Sequence, residues 1–201
     1  MLTNMKKSLL TRLIQQVGTA GALLSSRRVQ LFAYDEMMSQ KLLERFGVFS
    51  ERSVLAWVDG LAPCVDVRAD RGGNAGRLGL RESTGGKAWG VVHEISGAEL
   101  LLVDGLLWAA GQHYERRMVP LTDRDGHEYR AWVYVARTAE SGLKADHDYL
   151  QAIVREAEKQ GLPDYYVEKL QGIAATVAPV FAREPRSKSE SRWSVWTGTL
   201  A

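Results

Sequence analysis

Short apolar and aromatic runs, punctuated by turn residues, occupy the middle of the chain, and the clearest helical patterns lie toward its ends. A strong hairpin signal sits between two of the runs. Together these observations predict an α+β domain built on a largely antiparallel sheet or barrel. With 201 residues, of which 45% are hydrophobic and 25% charged, there is enough chain for one ordinary domain with end extensions. A net charge of +2 is too small to argue for nucleic acid by itself. A single cysteine, Cys64, excludes an internal disulfide framework. His93, His113, His127 and His147 show no zinc-motif spacing, and there is no phosphate-binding loop or dinucleotide fingerprint, so neither metal nor cofactor is expected. No apolar run approaches the roughly 20 residues that span a bilayer.

The elements follow in order. Val29–Tyr34 reads as a strand, and Met37–Phe46 as a short helix stopped by Gly47. Ser53–Val58 and Pro63–Arg68 read as two strands, Asp70–Gly76 as a loop, Arg77–Arg81 as a short strand and Ser83–Gly86 as a turn. Trp89–Ile95 is a strand of aromatic and β-branched residues. Ser96 is placed to cap a helix running through Leu102 or beyond, with Glu99 in the capping-box position. Tyr114–Leu121 and Tyr129–Ala136 flank Asp123–Gly126, whose Asp-Gly pair signals a hairpin. Asp146–Gln160 is a helix with Tyr149, Leu150, Ile153, Val154 and Ala157 on one face, and Gly161 ends it. Pro163 opens another helix over Asp164–Ile173.

The ends differ from the middle. No acid precedes Asp35, and Lys6, Lys7, Arg12, Arg27 and Arg28 accompany apolar residues at helical spacing. Residues 1–28 therefore read as a basic amphipathic extension: a surface helix packed on the domain, or a mitochondrial transit-like segment. Residues 176–201 form a tail rich in Ser and Arg that nonetheless carries Trp193 and Trp196.

Four segments, in order over about residues 30–172, resemble the gamma-glutamylcyclotransferase-like (AIG2-like) family. Leu31-Phe32-Ala33-Tyr34 stands where the family has a strand ending in Tyr before a Gly-Ser-Asn or Gly-Ser-Leu loop. Lys87 to Ile95 is similar to its VWGVVWxI strand. Leu102-Val103-Asp104 followed by Tyr114 is similar to its LDxxEG…Y stretch. Asp148-Tyr149-Leu150 through Gly161-Leu162-Pro163-Asp164-Tyr165-Tyr166 is similar to its YLxxIxxGAxxxGLPxxY signature. The resemblance implies a small, mixed, mostly antiparallel β-barrel with surrounding helices over residues 29–175, and a pocket at one mouth.

The resemblance also implies a reaction. In the family, the α-amine of a gamma-glutamyl group attacks its own γ-carbonyl, releasing 5-oxoproline and an amine. A general base takes the ammonium proton and passes it to the leaving nitrogen, while backbone N–H groups hold the substrate oxygens. The family's catalytic Glu falls on Leu107 and the following Gly on Trp108, and an isobutyl group cannot move a proton. The loop after the first strand keeps Tyr34 but replaces Gly-Ser-Asn by Asp35, Glu36 and Met37, adding bulk and negative charge. The resemblance therefore implies a member without an intact catalytic set. Glu36 is the fallback base; it also reads as a solvated loop carboxylate or as a cap for the helix near Met37.

Tyr34, Asp35, Glu36, Met37, Leu107 and Tyr114 are the candidate pocket residues, although Tyr114 equally suits an ordinary strand aromatic. His113 reads as a surface-loop residue, and Asp146, His147 and Asp148 as an N-terminal cap rather than a catalytic or metal group. Cys64 reads as a small buried hydrophobe, and Trp57, Trp89 and Trp132 as core. The expected function is a non-catalytic structural or binding subunit of an assembly, mitochondrial or else cytoplasmic. It would hold protein partners through the N-terminal helix and through Arg192, Trp193 and Trp196, with RNA as a further candidate partner. The alternative is an enzyme acting on a gamma-glutamyl amine through Glu36, or one whose pocket takes a cationic group.

Overall fold

A computed structural model of the protein describes residues 27–69, 74–109 and 114–176. Strands β1 (Arg28–Ala33), β2 (Arg52–Arg68), β3 (Gly76–Ser96), β4 (Tyr114–Asp123) and β5 (Glu128–Ala136) close a barrel in the order β1-β3-β2-β4-β5. The β1–β5 contact that completes the ring is parallel, through Leu31 with Trp132 and Phe32 with Val133; every other pairing is antiparallel. Two of the seams, β1–β5 and β2–β4, are closed by only two residue pairs each. The mixed, mostly antiparallel barrel expected above is the architecture found.

Several expected elements merge. Ser53–Val58 and Pro63–Arg68 are one strand, because Gly60 (φ 79°) absorbs a register shift between Asp59 and Leu61 without breaking the ladder. Opposite it, β3 runs through the expected turn at Ser83–Gly86. These four residues bulge out between Glu82 and Lys87, facing only Gly60. The expected helix over Met37–Phe46 is instead a 3-10 turn (Glu36–Met38) and helix α1 (Gln40–Arg45), divided by the extended backbone of Ser39. Gly90 lets β1 and β3 approach, since a Cβ there would lie 2.2 Å from the Ala33 carbonyl oxygen.

Helix α2 (Gly97–Ala109) starts at the expected capping box. Ser96 N–H donates to Glu99 Oε2 at 2.7 Å and Glu99 N–H to Ser96 Oγ at 3.2 Å. Helix α3 (His147–Gln160) is capped by Asp146, whose carboxylate accepts from Tyr149 N–H at 3.0 Å, and ends at Gly161 (φ 74°). Pro163 is the cap of α4 (Asp164–Ala175) rather than its first helical residue. Leu150, Ile153, Val154 and Ala157 of α3 join Tyr166, Val167, Leu170 and Ala174 of α4 in one core with barrel residues such as Phe32, Leu78 and Val92. Each large side chain buried there contributes roughly 1.5–3 kcal/mol. A second core joins Leu43, Leu100 and Val103 of α1 and α2 to Leu31, Ile95, Tyr114 and Tyr134 of the barrel.

Candidate functional site

The chain leaves β1 at Tyr34, which is buried and donates from its hydroxyl to the Tyr134 carbonyl at 2.6 Å, pinning this corner to β5. Asp35, also buried, turns its carboxylate back to accept Met37 N–H at 2.9 Å, which starts the 3-10 turn. Glu36 is half-buried as a residue, yet its Oε2 is sealed from solvent and has no hydrogen-bond partner among the described residues. Behind it, His93 is fully buried. Its Nδ1 lies 2.9 Å from Ser53 Oγ and its Nε2 lies 3.1 Å from the Met37 carbonyl, which suits a neutral imidazole. Burial pushes His93 down to about 4, against the Met37 hydrogen bond that favours the charged form.

The opposite wall comes from β2, β3, β4 and α3. A bulge lies between Val65, paired with Leu78, and Val67, paired with Arg77, and it leaves Asp66 as the extra residue. The Asp66 carboxylate occupies the space over Gly79, where a Cβ would meet Oδ1 at 2.0 Å. Arg81 Nε lies 3.4 Å from Asp66 Oδ2. The Tyr149 ring lies 4.2 Å from the Arg77 guanidinium carbon. Two tyrosines hold the Leu78 backbone: Tyr114 Oη donates to its carbonyl at 3.0 Å, and its N–H donates to Tyr149 Oη at 3.2 Å.

These side chains form one electrostatic unit. Burial and then the neighbouring Glu36 push the Asp35 carboxyl up to about 7, against the Met37 N–H and Arg77. Burial raises Glu36, with Arg77 opposing. The Tyr34, Tyr114 and Tyr149 phenols are driven well above their ordinary value, first by burial and then by surrounding charges. Tyr114 feels Asp35, Glu36, Asp66 and Arg77 together. Burial works against the charge on Arg77, but Tyr149 and Glu36 hold its pKa above the usual value.

The structure thus brings the candidates Tyr34, Asp35, Glu36 and Tyr114 together. Met37 contributes a backbone carbonyl, and its side chain packs against both cores. Glu36 is neither a solvated carboxylate nor a helix cap, because Asp35 caps the turn and Glu36 Oε2 is sealed. Leu107 lies in α2, half-buried against the core that contains Val103 and Tyr114. It borders a cleft of about 520 Å³ with Trp108, Arg116, Trp132 and Tyr134. Tyr114 is common to this cleft and the acid cluster.

Asp66, Arg77, Arg81 and Tyr149 were not among the sequence candidates. Asp66 had one readable signal, an acid between two valines in an apolar strand. Cys64, Trp57 and Trp132 are half-buried, with the two indoles packed against the edges of the cores, while Trp89 is buried. His113, Arg192, Trp193 and Trp196 lie outside the described residues.

Among the described residues, Asp123, Asp125 and His127 are spaced closely enough to hold an ion. Asp123, however, is committed to the hairpin. Its Oδ1 accepts from Asp125 N–H at 2.9 Å and His127 N–H at 2.8 Å, and its Oδ2 accepts from Tyr129 Oη at 2.7 Å. That arrangement is a turn device. No helix among the described residues is long and apolar enough to cross a membrane.

Comparison with known proteins agrees with the architecture. Residues 87–170 match the AIG2-like family. A gamma-glutamyl cyclotransferase structure superposes with a TM-score of 0.63 at 18% identity, covering 85% of this chain and 99% of that one. An uncharacterized Homo sapiens protein does so with 0.63 at 19%, covering 85% and 99%. YkqA from Bacillus subtilis gives 0.65 at 20%, covering 77% of this chain and 57% of its own. At these identities the likeness is one of fold. No curated protein matches the sequence.

Proposed function

We propose that this chain, whose residues 87–170 match the AIG2-like family, is a non-catalytic binding subunit of a larger assembly. The outer face of α2 carries this reading. The helix sequence GAELLLVDGLLWA is apolar nearly all round. Leu100 and Val103 are buried beneath it, yet Trp108 is 77% exposed, Leu101 50% and Leu102 also exposed. A helix apolar on every side belongs in an interior, and a contiguous exposed apolar face marks a surface that another protein covers. The resemblance puts the family's base at position 107, which is a leucine in this sequence and supports a reading without catalysis. The acid-poor first 30 residues support a mitochondrial setting, and the basic ends support contact with RNA as a secondary partner.

The test is the native mass of the protein in a gentle lysate, by sedimentation with and without nuclease. A large nuclease-resistant particle is expected, and the Leu101→Asp variant should run at a lower mass. A particle dissolved by nuclease would shift the reading to a ribonucleoprotein. A free monomer would overturn it.

One observation favours a second reading. The sealed Glu36 Oε2 and its raised pKa suit a proton-transfer group beside Arg77 and Tyr149. On that reading the chain turns over a gamma-glutamyl amine with Glu36 as base. Glu36→Gln should then abolish 5-oxoproline release while the melting temperature holds. Absence of turnover in the unaltered protein would remove this reading.

A further inference from the structure

Asp66 is 1% exposed, and among the described residues neither of its carboxylate oxygens has a hydrogen-bond partner. A buried carboxylate left in that condition is costly, so its surroundings bear on what the space is for. Its facing cation is weak. Arg81 reaches it only at 3.4 Å through Nε, and the Arg81 side chain is 49% exposed, so solvent screens the pair. The Cys64 thiol beside it is pushed up to about 12, first by burial and then by Asp66, and a thiol is a poor donor.

The backbone nevertheless holds Asp66 in place by two separate devices. The bulge between Val65 and Val67 re-aims the side chain, and Gly79 leaves open the volume the carboxylate fills. Glu36 Oε2 is a further buried acceptor without a partner among the described residues, although Tyr149 hydrogen-bonds the same carboxyl group. Asp35 adds a third carboxyl, whose own hydrogen bond goes to Met37 N–H. Among the described residues two arginines, Arg77 and Arg81, stand against these three acids, so the cluster carries a negative excess when all three are ionised, a state that burial opposes at Asp35 and Glu36. Its aromatic members, Tyr34, Tyr114 and Tyr149, direct two hydroxyls to the Leu78 backbone and one to the Tyr134 carbonyl. Tyr34 and Tyr114 spend their hydroxyl protons on carbonyls, whereas Tyr149 Oη accepts from Leu78 N–H and its own proton serves the Glu36 carboxylate, so what these residues leave for a ligand is ring surface.

Unmatched buried acceptors, a negative excess and aromatic walls are what an organic cation needs. We propose that the barrel mouth binds an alkylammonium ligand, with Asp66 and Glu36 as its anionic partners. An ammonium brings three N–H donors to acceptors that lack them, together with the positive charge the cluster lacks. An alkyl stem would lie along the tyrosine rings. The site goes beyond the subunit reading and draws on different residues from the α2 face, so loss of amine binding leaves the sedimentation result untouched.

The test uses cadaverine as the cationic probe and glutarate, its dianionic counterpart, as the control, in calorimetric titrations of the full chain. Saturable binding of cadaverine at one site is expected, with none for glutarate. Asp66→Asn should weaken cadaverine binding by about tenfold or more, as loss of a charge-assisted contact requires. Circular dichroism reports whether that variant keeps its fold. If it does not, Glu36→Gln carries the same expectation. Absence of saturable cadaverine binding to the unaltered chain, equal binding of glutarate, or full affinity in a folded Asp66→Asn would overturn the proposal.

Discussion

The barrel mouth and the outer face of α2 depart from ordinary residue placement in opposite directions. At the mouth, Asp35 and Asp66 are buried and Glu36 is sealed at Oε2, with Arg77 among them. On α2, Leu101, Leu102 and Trp108 stand in solvent. Charge inside and apolar surface outside both cost stability, so each region is held by something other than the needs of the isolated fold. The difference separates two roles. The mouth is shaped inward, by a bulge and a glycine that leaves room for the Asp66 carboxylate, and its proposed occupant is a small cation. The α2 face is broad and apolar, suited to a protein surface.

The largest expected effect tests how tightly the mouth is built. Gly79→Ala places a methyl group against Asp66 Oδ1 and should cost about 3 kcal/mol in denaturant unfolding. Asp66→Ala combined with Gly79→Ala should recover part of that loss, because the two positions are in contact. Additive costs would mean that Gly79 is needed for some other reason.

Next is Asp35. Its folded pKa of about 7 lies above that of an unfolded carboxyl, so the folded chain holds an extra proton between about pH 4 and pH 7. The stability this supplies is complete below about pH 4 and is lost as pH rises through 7. Asp35→Asn keeps an acceptor for Met37 N–H and removes that loss. It should be more stable than the unaltered chain at pH 8, on the order of 2 kcal/mol, and nearly equal to it at pH 4. His93 works in the opposite sense. With a folded pKa of about 4 it holds fewer protons than an unfolded histidine, so its contribution is complete above about pH 6.5 and is lost as pH falls through 4. Asp35→Asn should therefore leave a stability curve that rises more steeply between pH 4 and 7.

Smaller effects belong to α2. Ser96→Ala removes half of the capping box and should cost about 1 kcal/mol, read by unfolding and by faster amide exchange in the first turn. Trp108→Ala should change the stability of the isolated chain by less than about 0.5 kcal/mol, because the indole touches little. The same substitution should weaken the assembly. A large loss of intrinsic stability would make Trp108 part of the fold and erase the contrast with the mouth.

Much of this architecture is legible in the sequence because the signals are local. The Ser96/Glu99 box, the Asp-Gly turn at Asp125-Gly126 and Gly161 after α3 each satisfy their own backbone groups within a few residues. What escaped is non-local. Ser83–Gly86 does turn, with Gly85 at φ 70° and none of the four residues paired, but the ladder resumes at Lys87 opposite Asp59, so one strand continues where turn chemistry alone predicts two. The candidate site divides in the same way. Tyr34, Asp35 and Glu36 are adjacent in the chain and mark themselves as a group. Asp66, Arg77 and Tyr149 reach the same space from β2, β3 and α3, and only the β2–β3 register and the packing of α3 on those strands bring them together. The Asp66 bulge depends on register, which alternating residue types do not specify.

The central claim, that another protein covers the outer face of α2, is tested most directly by placing a photo-cross-linking residue at position 108 of the full chain and irradiating it in cells. The account predicts a discrete cross-linked product of higher mass, which is absent when the same residue replaces exposed Glu128 on β5. Cross-links confined to the chain itself, or a pattern identical at both positions, would contradict it.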